Sequence, residues 1–397
     1  MGIVIKPLDV AHFGTGKGSS AADVHSIESF NLPTHFTLAG ALRSEIMRKR
    51  GEDPEVLGEY LKKQEDVNNY YDKLLYSPAI IGPYIVSESD LPSMDKNLLL
   101  PLPLNIYKIS KKQEYKKGEE YIYAYWKKMD NNLITDLETG IEFLPWVRNR
   151  KRYEFQTGFL SLDSFKKYLM GVLDNEGKLE DNSIFEVNPI KMSRPGIRIK
   201  PETGTVEEGY LYFEEYLYFV YQKDEQNKEF YLYLESELEA ELFSNNAQKG
   251  LMPLGGENRY VQYKKIEFSL KEELNKVKDD VIKAICKSSP SEGEIYFNLI
   301  LLTPAYFKSG WKPDITDVEI VGASLERPLK YSGWDMATKT PAPTKNFVRA
   351  GSVYLCKTKN KENLKDLYLS SISYEYDGLG LGIVVPGVPK IYKNKED

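Results

Sequence analysis

The sequence predicts an α+β protein built as two tandem ferredoxin-like (RRM-like) domains, with large insertions in the first. Three observations lead there. The chain has 397 residues, more than one hydrophobic core usually organises. The order strand, helix, further strands, helix, glycine turn and closing strand occurs twice, once ending near Phe268 and once near Pro386. The first copy is far too long for a bare unit, which assigns residues from about 76 to 230 to insertions. The domains are therefore drawn at 1–270 and 271–397.

The elements follow in order. "GIVIKPLDV" alternates apolar and polar residues as a strand does. "THFTLAGALRSEIMRKR" reads as a helix that Thr34 or Thr37 caps. Its Leu38, Leu42, Ile46 and Met47 recur at helical spacing and leave Arg43, Arg48, Lys49 and Arg50 outward. A second helix is expected from Pro54 to Leu75, and residues 76–155 alternate turns with short tyrosine-rich strands. "GYLYFEEYLYFVYQ" and "EFYLYLES" read as strands joined by the hairpin turn "DEQNKE". A Glu-rich helix from Ser236 to about Asn246 leads to "LMPLGGENRYVQYKKIEF", a glycine turn feeding a strand. A helix from Lys271 to Cys286 follows, and "GEIYFNLILLTPAYF" opens the second unit.

That unit closes on "DGLGLGIVVPG". Gly378, Gly380 and Gly382 lack the G-x-G-x-x-G spacing, and Ile383, Val384 and Val385 run to Pro386 as a strand, so a dinucleotide turn is excluded. On its residues alone the loop is a crowded turn. Beside a sheet edge, the same glycines let an RNA backbone approach main-chain N–H groups.

Composition bounds the function. No apolar run has the length of a membrane span, and "MGIVIKPLDV" lacks the order of a signal peptide; a cytoplasmic protein with no membrane partner is expected. Cys286 and Cys356 lie far apart, and His12, His25 and His35 are the only histidines, so no disulfide framework or metal centre is indicated. Asp66, Asp72, Asp279 and Asp280 show no metal-ligand spacing, and the phosphate-cradling G-x-x-x-x-G-K-[ST] is missing; no metal or cofactor is expected. The net charge of −6 argues against a generic nucleic-acid binder, but the charges segregate. Residues 207–241 carry eleven acids against Lys223 and Lys228, whereas residues 331–361 carry six bases against Asp335 alone. "PWVRNRKRY" adds Arg148, Arg150, Lys151 and Arg152. Such segregation fits one face that meets phosphates, and 29 tyrosines offer stacking platforms beside the bases.

The motifs "LAGALRSEIM", "RPGIRIKPETGTVEEGYLYFEEYLYF", "LGGENRYVQY", "LTPAYFKSGWKP" and "YSGWDMATKTPAPTKNFVRAGSVYLC", with the closing "GLGLGIVVPG", span nearly the whole chain. In this order they resemble the RAMP superfamily of CRISPR ribonucleoproteins, most closely the third subunit of the type III-B (Cmr) effector. One departure stands out. Relatives continue the first strand with an Arg-rich F-R-x-x-R-P-F stretch, whereas this chain has "HFGTGKGSSA", with Lys17 as its only base. The resemblance implies a subunit with no catalytic residues that holds the 5′ tag of the guide RNA (crRNA). It also implies two protein partners, the large polymerase-palm-like subunit and the adjacent RAMP backbone subunit.

Carried over by position, the RNA-binding candidates are Arg43 on the first helix, Gly255, Gly256 and Arg259 in the first glycine loop, Gly378, Gly380 and Gly382 in the second, and Arg194 and Arg198. Physical reading adds Tyr260, which can stack a base or point into the sheet, and gives Arg259 either a phosphate or Glu257 as its partner. "GWDMATKTPAPTKNFVRAGSVY" reads as an extended loop in which Lys339 and Lys345 spread positive charge beside Trp334, or in which Trp334 closes a core edge. The alternative function is a metal-free, guide-processing endoribonuclease using His25 or His35 with Lys49.

Overall fold

The structure is a computed structural model. It describes residues 1–15, 26–54, 77–109, 121–129, 140–147, 153–155, 158–172, 184–223, 226–257, 259–289, 293–335 and 340–392. The expected helix from Pro54 to Leu75 and the basic run at 148–152 lie almost entirely outside these residues. The chain divides into two compact units. One comprises Met1–Ser89, Val187–Glu267 and Lys330–Asn346; the other comprises Asp90–Glu186, Phe268–Leu329 and Phe347–Asp397. The chain thus changes unit close to residue 270, but residues 90–186 belong with the second unit and 330–346 with the first.

In the first unit, β1 (Gly2–Pro7) is the central strand, paired antiparallel on both sides and buried almost throughout. The helix α1 (His35–Arg50) begins where the Thr34 hydroxyl accepts the Thr37 N–H and ends at Gly51 in the left-handed region. Leu38, Leu42, Ile46 and Met47 are fully buried, each stabilising the unit by roughly 1.5–3 kcal/mol. Next in the chain are β2 (Ile81–Ser87), the long hairpin β3 (Ile190–Ile199) and β4 (Val206–Tyr218), then β5 (Val220–Lys223) and β6 (Gln226–Glu235), a hairpin at the expected turn. Edge strand β7 (Lys249–Pro253) and β8 (Tyr260–Ile266) close one side of the sheet, and the strands of this unit lie in the order β2–β6–β1–β8–β7, all antiparallel.

Two expectations need correction here. The Glu-rich helix spans only Glu239–Leu242, ending where Phe243 leaves helical geometry at φ −105° and ψ 27°; a 3-10 turn at Ser244–Asn246 follows and closes on Asn246 at a positive φ of 59°. The proline-rich stretch "GWDMATKTPAPTKNF" is no open loop but a two-stranded ribbon, Leu329–Asp335 with Thr340–Phe347. Phe30 and Phe36 meet the Tyr331 ring edge-on.

The second unit carries the helices α2 (Leu162–Leu169) and α3 (Leu270–Ser288), each started by a serine side-chain cap. Its central strands are β9 (Ile295–Leu301), β10 (Glu319–Ser324), β11 (Val353–Thr358) and, after the short helix α4 (Glu362–Leu367), β12 (Val384–Gly387). They lie in the order β12–β9–β11–β10, continued by the strands Phe143–Trp146 and Tyr125–Lys128. The helix that a repeat of the first unit would place after β9 is not formed. Residues 302–318 run as turns, since Pro304, Gly310 and Pro313 interrupt any helical stretch. A polar chain runs through the interior: the Trp126 indole N–H donates to Asn298 Oδ1 at 2.8 Å, and Asn298 Nδ2 donates to the Tyr123 hydroxyl at 3.0 Å.

Candidate nucleic-acid interface

The hairpin register decides which side chains meet. Arg194 on β3 faces Glu214, and Met192 faces Tyr216, so Arg194 and Tyr216 are diagonal neighbours on one face. The Arg194 guanidinium carbon lies 5.1 Å from the Tyr216 ring centroid, and the Arg259 guanidinium carbon lies 4.9 Å from it. The His12 ring joins them at 5.8 Å between centroids, held by a 2.8 Å hydrogen bond from its Nδ1 to the Glu215 carbonyl. Two cations on one buried tyrosine ring form a cation–π cluster. The Tyr216 phenol donates to Glu214 at 2.6 Å; burial, then this carboxylate, pushes its pKa up and keeps it neutral.

Carboxylates share the cluster with the two arginines: Glu214 bonds the Tyr216 phenol, and the Glu257 charge also acts on that phenol. Arg259 lies 3.8 Å from the Asp9 carboxylate, and its buried Nε makes no hydrogen bond among the described residues. Its partner in the structure is thus Asp9 rather than Glu257. An unbonded guanidinium donor is costly to bury, and an anionic oxygen would satisfy it.

The glycine loop works differently from expectation. Gly255 has φ +85°, and a Cβ there would stand 2.2 Å from the His12 carbonyl oxygen. Gly256 donates its N–H to that same carbonyl at 2.9 Å, and its Cβ would lie 2.9 Å from the His12 ring. The correction is physical: both glycines admit the chain's own residue 12, and the Gly256 N–H is already spent. They build the turn that aims Arg259.

The remaining candidates are dispersed. Tyr260 is 48% exposed and does not point into the sheet. Arg198, exposed toward the tip of the hairpin, lies 3.3 Å from Glu207. Arg43 is half-buried on α1, and Lys345 is half-buried on the ribbon. Lys339, His25 and most of the His12–Ala21 loop lie outside the described residues, and the side chain of Trp334 is not described. Gly378, Gly380 and Gly382 belong to the second unit. There Gly380 and Gly382 are buried with φ of +86° and +76°, and a Cβ on Gly382 would stand 2.5 Å from the Ser373 nitrogen. Their peptide groups bond to Thr303 and Pro304. The second loop is a crowded turn whose Gly380 and Gly382 pack on their own chain.

The ribonuclease candidates are also placed. His35 is 1% exposed, its Nε2 makes no hydrogen bond, and burial pulls its pKa down to about 4. Lys49 donates to the Leu242 carbonyl and lies 5.5 Å over the Tyr263 ring. Tyr216 and His12 are the members of the cluster that the sequence did not single out as RNA-binding; alternation along β4 was the one signal for Tyr216, and His12, outside any strand, had none.

The family model of CRISPR-associated protein (Cas_Cmr3) matches residues 3–388. The chain belongs to this family. Among solved structures, this Cas_Cmr3 chain is similar to one in the cryo-EM structure of the Type III-B Cmr-beta bound to cognate target RNA, with 16% identity, TM-score 0.48, and 97% of this chain and 96% of that chain covered. A second is from Type III-B Cmr-beta bound to cognate target RNA and AMPPnP, state 1, with 18% identity, TM-score 0.48 and coverage of 92% and 88%. No curated protein matches.

Proposed function

We propose that this Cas_Cmr3 chain is a non-catalytic RNA-binding scaffold of a type III-B CRISPR ribonucleoprotein. In this reading it holds the 5′ tag of the guide RNA and docks the large polymerase-palm-like subunit and the adjacent RAMP backbone subunit. Its two sheets, with central orders β2–β6–β1–β8 and β10–β11–β9–β12, support tandem ferredoxin-like domains, the second lacking its first helix. The observation that carries RNA binding is the pairing of Arg194 and Arg259 over Tyr216, with a buried guanidinium donor left unbonded. Phosphate oxygens satisfy such donors, and aromatic rings beside them take bases. The ribonuclease reading has weaker support, because the sealed His35 ring cannot reach a phosphodiester without opening the first turn of α1.

Co-expression with a candidate large subunit and tag-bearing RNA tests this. A stable ternary particle is expected, with the RNA intact whether or not divalent metal is added. Site-specific cleavage that disappears in His25→Ala or His35→Ala would overturn the scaffold in favour of the endoribonuclease.

A further inference from the structure

The sheet of the first unit has a second, separate surface. In β8, residues alternate strictly: Val261 and Tyr263 are buried toward α1, while Tyr260, Gln262 and Lys264 are exposed. Register places Lys249, Leu251 and Pro253 of β7 directly opposite Lys264, Gln262 and Tyr260, so all six share the face away from Tyr263. Leu251 is 49% exposed, and Leu8, whose N–H donates to the Tyr260 carbonyl, is 60% exposed at the end of the same face.

The six β7 and β8 residues of this face include two lysines and no acid. Lys249 and Lys264 stand opposite each other across the strand pair, an arrangement that destabilises a sheet, and neither makes an ion pair among the described residues. On the β1 and β6 side, Glu229 is held by Lys6 and Glu88 accepts from the Tyr231 hydroxyl. Tyr260 directly follows Arg259, so the face begins one residue beyond the arginine cluster. Residues two apart on a strand are about 6.8 Å apart, so the lysines, the Gln262 amide and the Tyr260 ring form a track rather than a point.

We propose that this open face of β7 and β8, which begins one residue beyond Arg259, is a track for single-stranded RNA. The lysines take phosphates, and Tyr260 stacks a base with Leu251 as apolar floor, as on other open sheets that bind RNA. An uncompensated lysine pair on an otherwise acidic chain is what selects an anionic occupant over an apolar one. The proposal rests on the RNA-binding reading above.

The test uses the full-length chain, a uridine-rich single-stranded RNA bearing 4-thiouridine, and anisotropy titrations at several salt concentrations. Lys249→Gln with Lys264→Gln is compared with Lys359→Gln and Lys361→Gln, exposed lysines of the second unit that give the same charge change. The expected result is weaker binding than in the control pair and a salt slope shallower by about 1.4, the loss of two single-strand phosphate contacts. Tyr260→Ser is expected to weaken binding at least about fivefold and to remove the cross-link to the β8 peptide. If the lysine pair behaves like its control and cross-links fall elsewhere, while Arg194→Ala and Arg259→Ala still weaken binding, the track is wrong and the RNA-binding reading stands. If no variant changes RNA binding, both fall. Lysine-dependent binding of poly-glutamate with unchanged RNA affinity would make this face a protein contact and also overturn the track.

Discussion

His35 opens α1 with its ring sealed in the first unit, and its pKa of about 4 turns that burial into a pH effect. Between the unfolded value near 6.5 and about 4, the unfolded chain binds a proton that the native chain refuses. Stability from this site is therefore complete above pH 6.5 and falls as pH drops toward 4, by up to about 3 kcal/mol. Urea denaturation at pH 7 and pH 5 should show the native chain losing more than His35→Gln; equal losses would mean that His35 does not control this window. The glycines of the second unit give a different residue-scale outcome. Gly382→Ala puts a Cβ against the Ser373 backbone in a left-handed conformation, and a loss of about 1–3 kcal/mol is expected from the strain. Thermal melts should register it, whereas the folded fraction should bind RNA as before. Weakened RNA affinity at unchanged melting temperature would restore the loop as a recognition element.

At the scale of elements, α1 is held by devices at its ends as well as by its buried stripe. Removing the Thr34 hydroxyl strips the Thr37 N–H of its acceptor, and Thr34→Ala is expected to cost about 1 kcal/mol in urea titrations; Thr34→Ser should recover most of it, and equal losses would assign the effect to the lost methyl. These devices were legible in the sequence because capping and helical periodicity are local: α1, α3, β1 and the β5–β6 hairpin stand close to where residue order puts them. The pairing of β3 with β4 was not legible. "RPGIRIKP" carries Pro195 and Gly196, which weaken any strand signal, and the Tyr212 ring covers the gap at Gly196 only once the register exists. The same register was needed to see the candidate site. Arg194, Arg259 and the Gly255–Gly256 turn could be named from motifs, but Tyr216 and His12 join them through pairing between distant segments, which periodicity along one strand cannot supply. The glycines misled for a related reason. A sequence shows that something passes close to Gly255 and Gly382, not that it is the chain's own His12 and Ser373.

At the scale of the whole molecule, a net charge of −6 opposes the basic surfaces that the first unit exposes. The acids of residues 207–241 are partly consumed by ion pairs such as Lys191 with Glu215 and Arg50 with Glu241, yet they leave the chain repelling polyanions at a distance. Non-specific RNA affinity comes almost entirely from phosphate neutralisation and counterion release, so a molecule with few uncompensated cations has little of it. The isolated chain is therefore expected to bind unrelated RNA weakly at low salt and to lose that binding as salt rises. If Arg194, Arg259, Lys249 and Lys264 each engage one phosphate, log K against log salt falls with a slope of about −2.8, from roughly 0.7 per single-strand contact. Anisotropy titrations from low to physiological salt measure it directly. A tight complex with unrelated RNA and a flat slope would show that affinity comes from stacking or shape instead, and the charge segregation would then have to be explained by protein partners. Weak binding with a steep slope is what the scaffold proposal expects, since a partner that covers the acidic segment would remove the repulsion without touching either arginine.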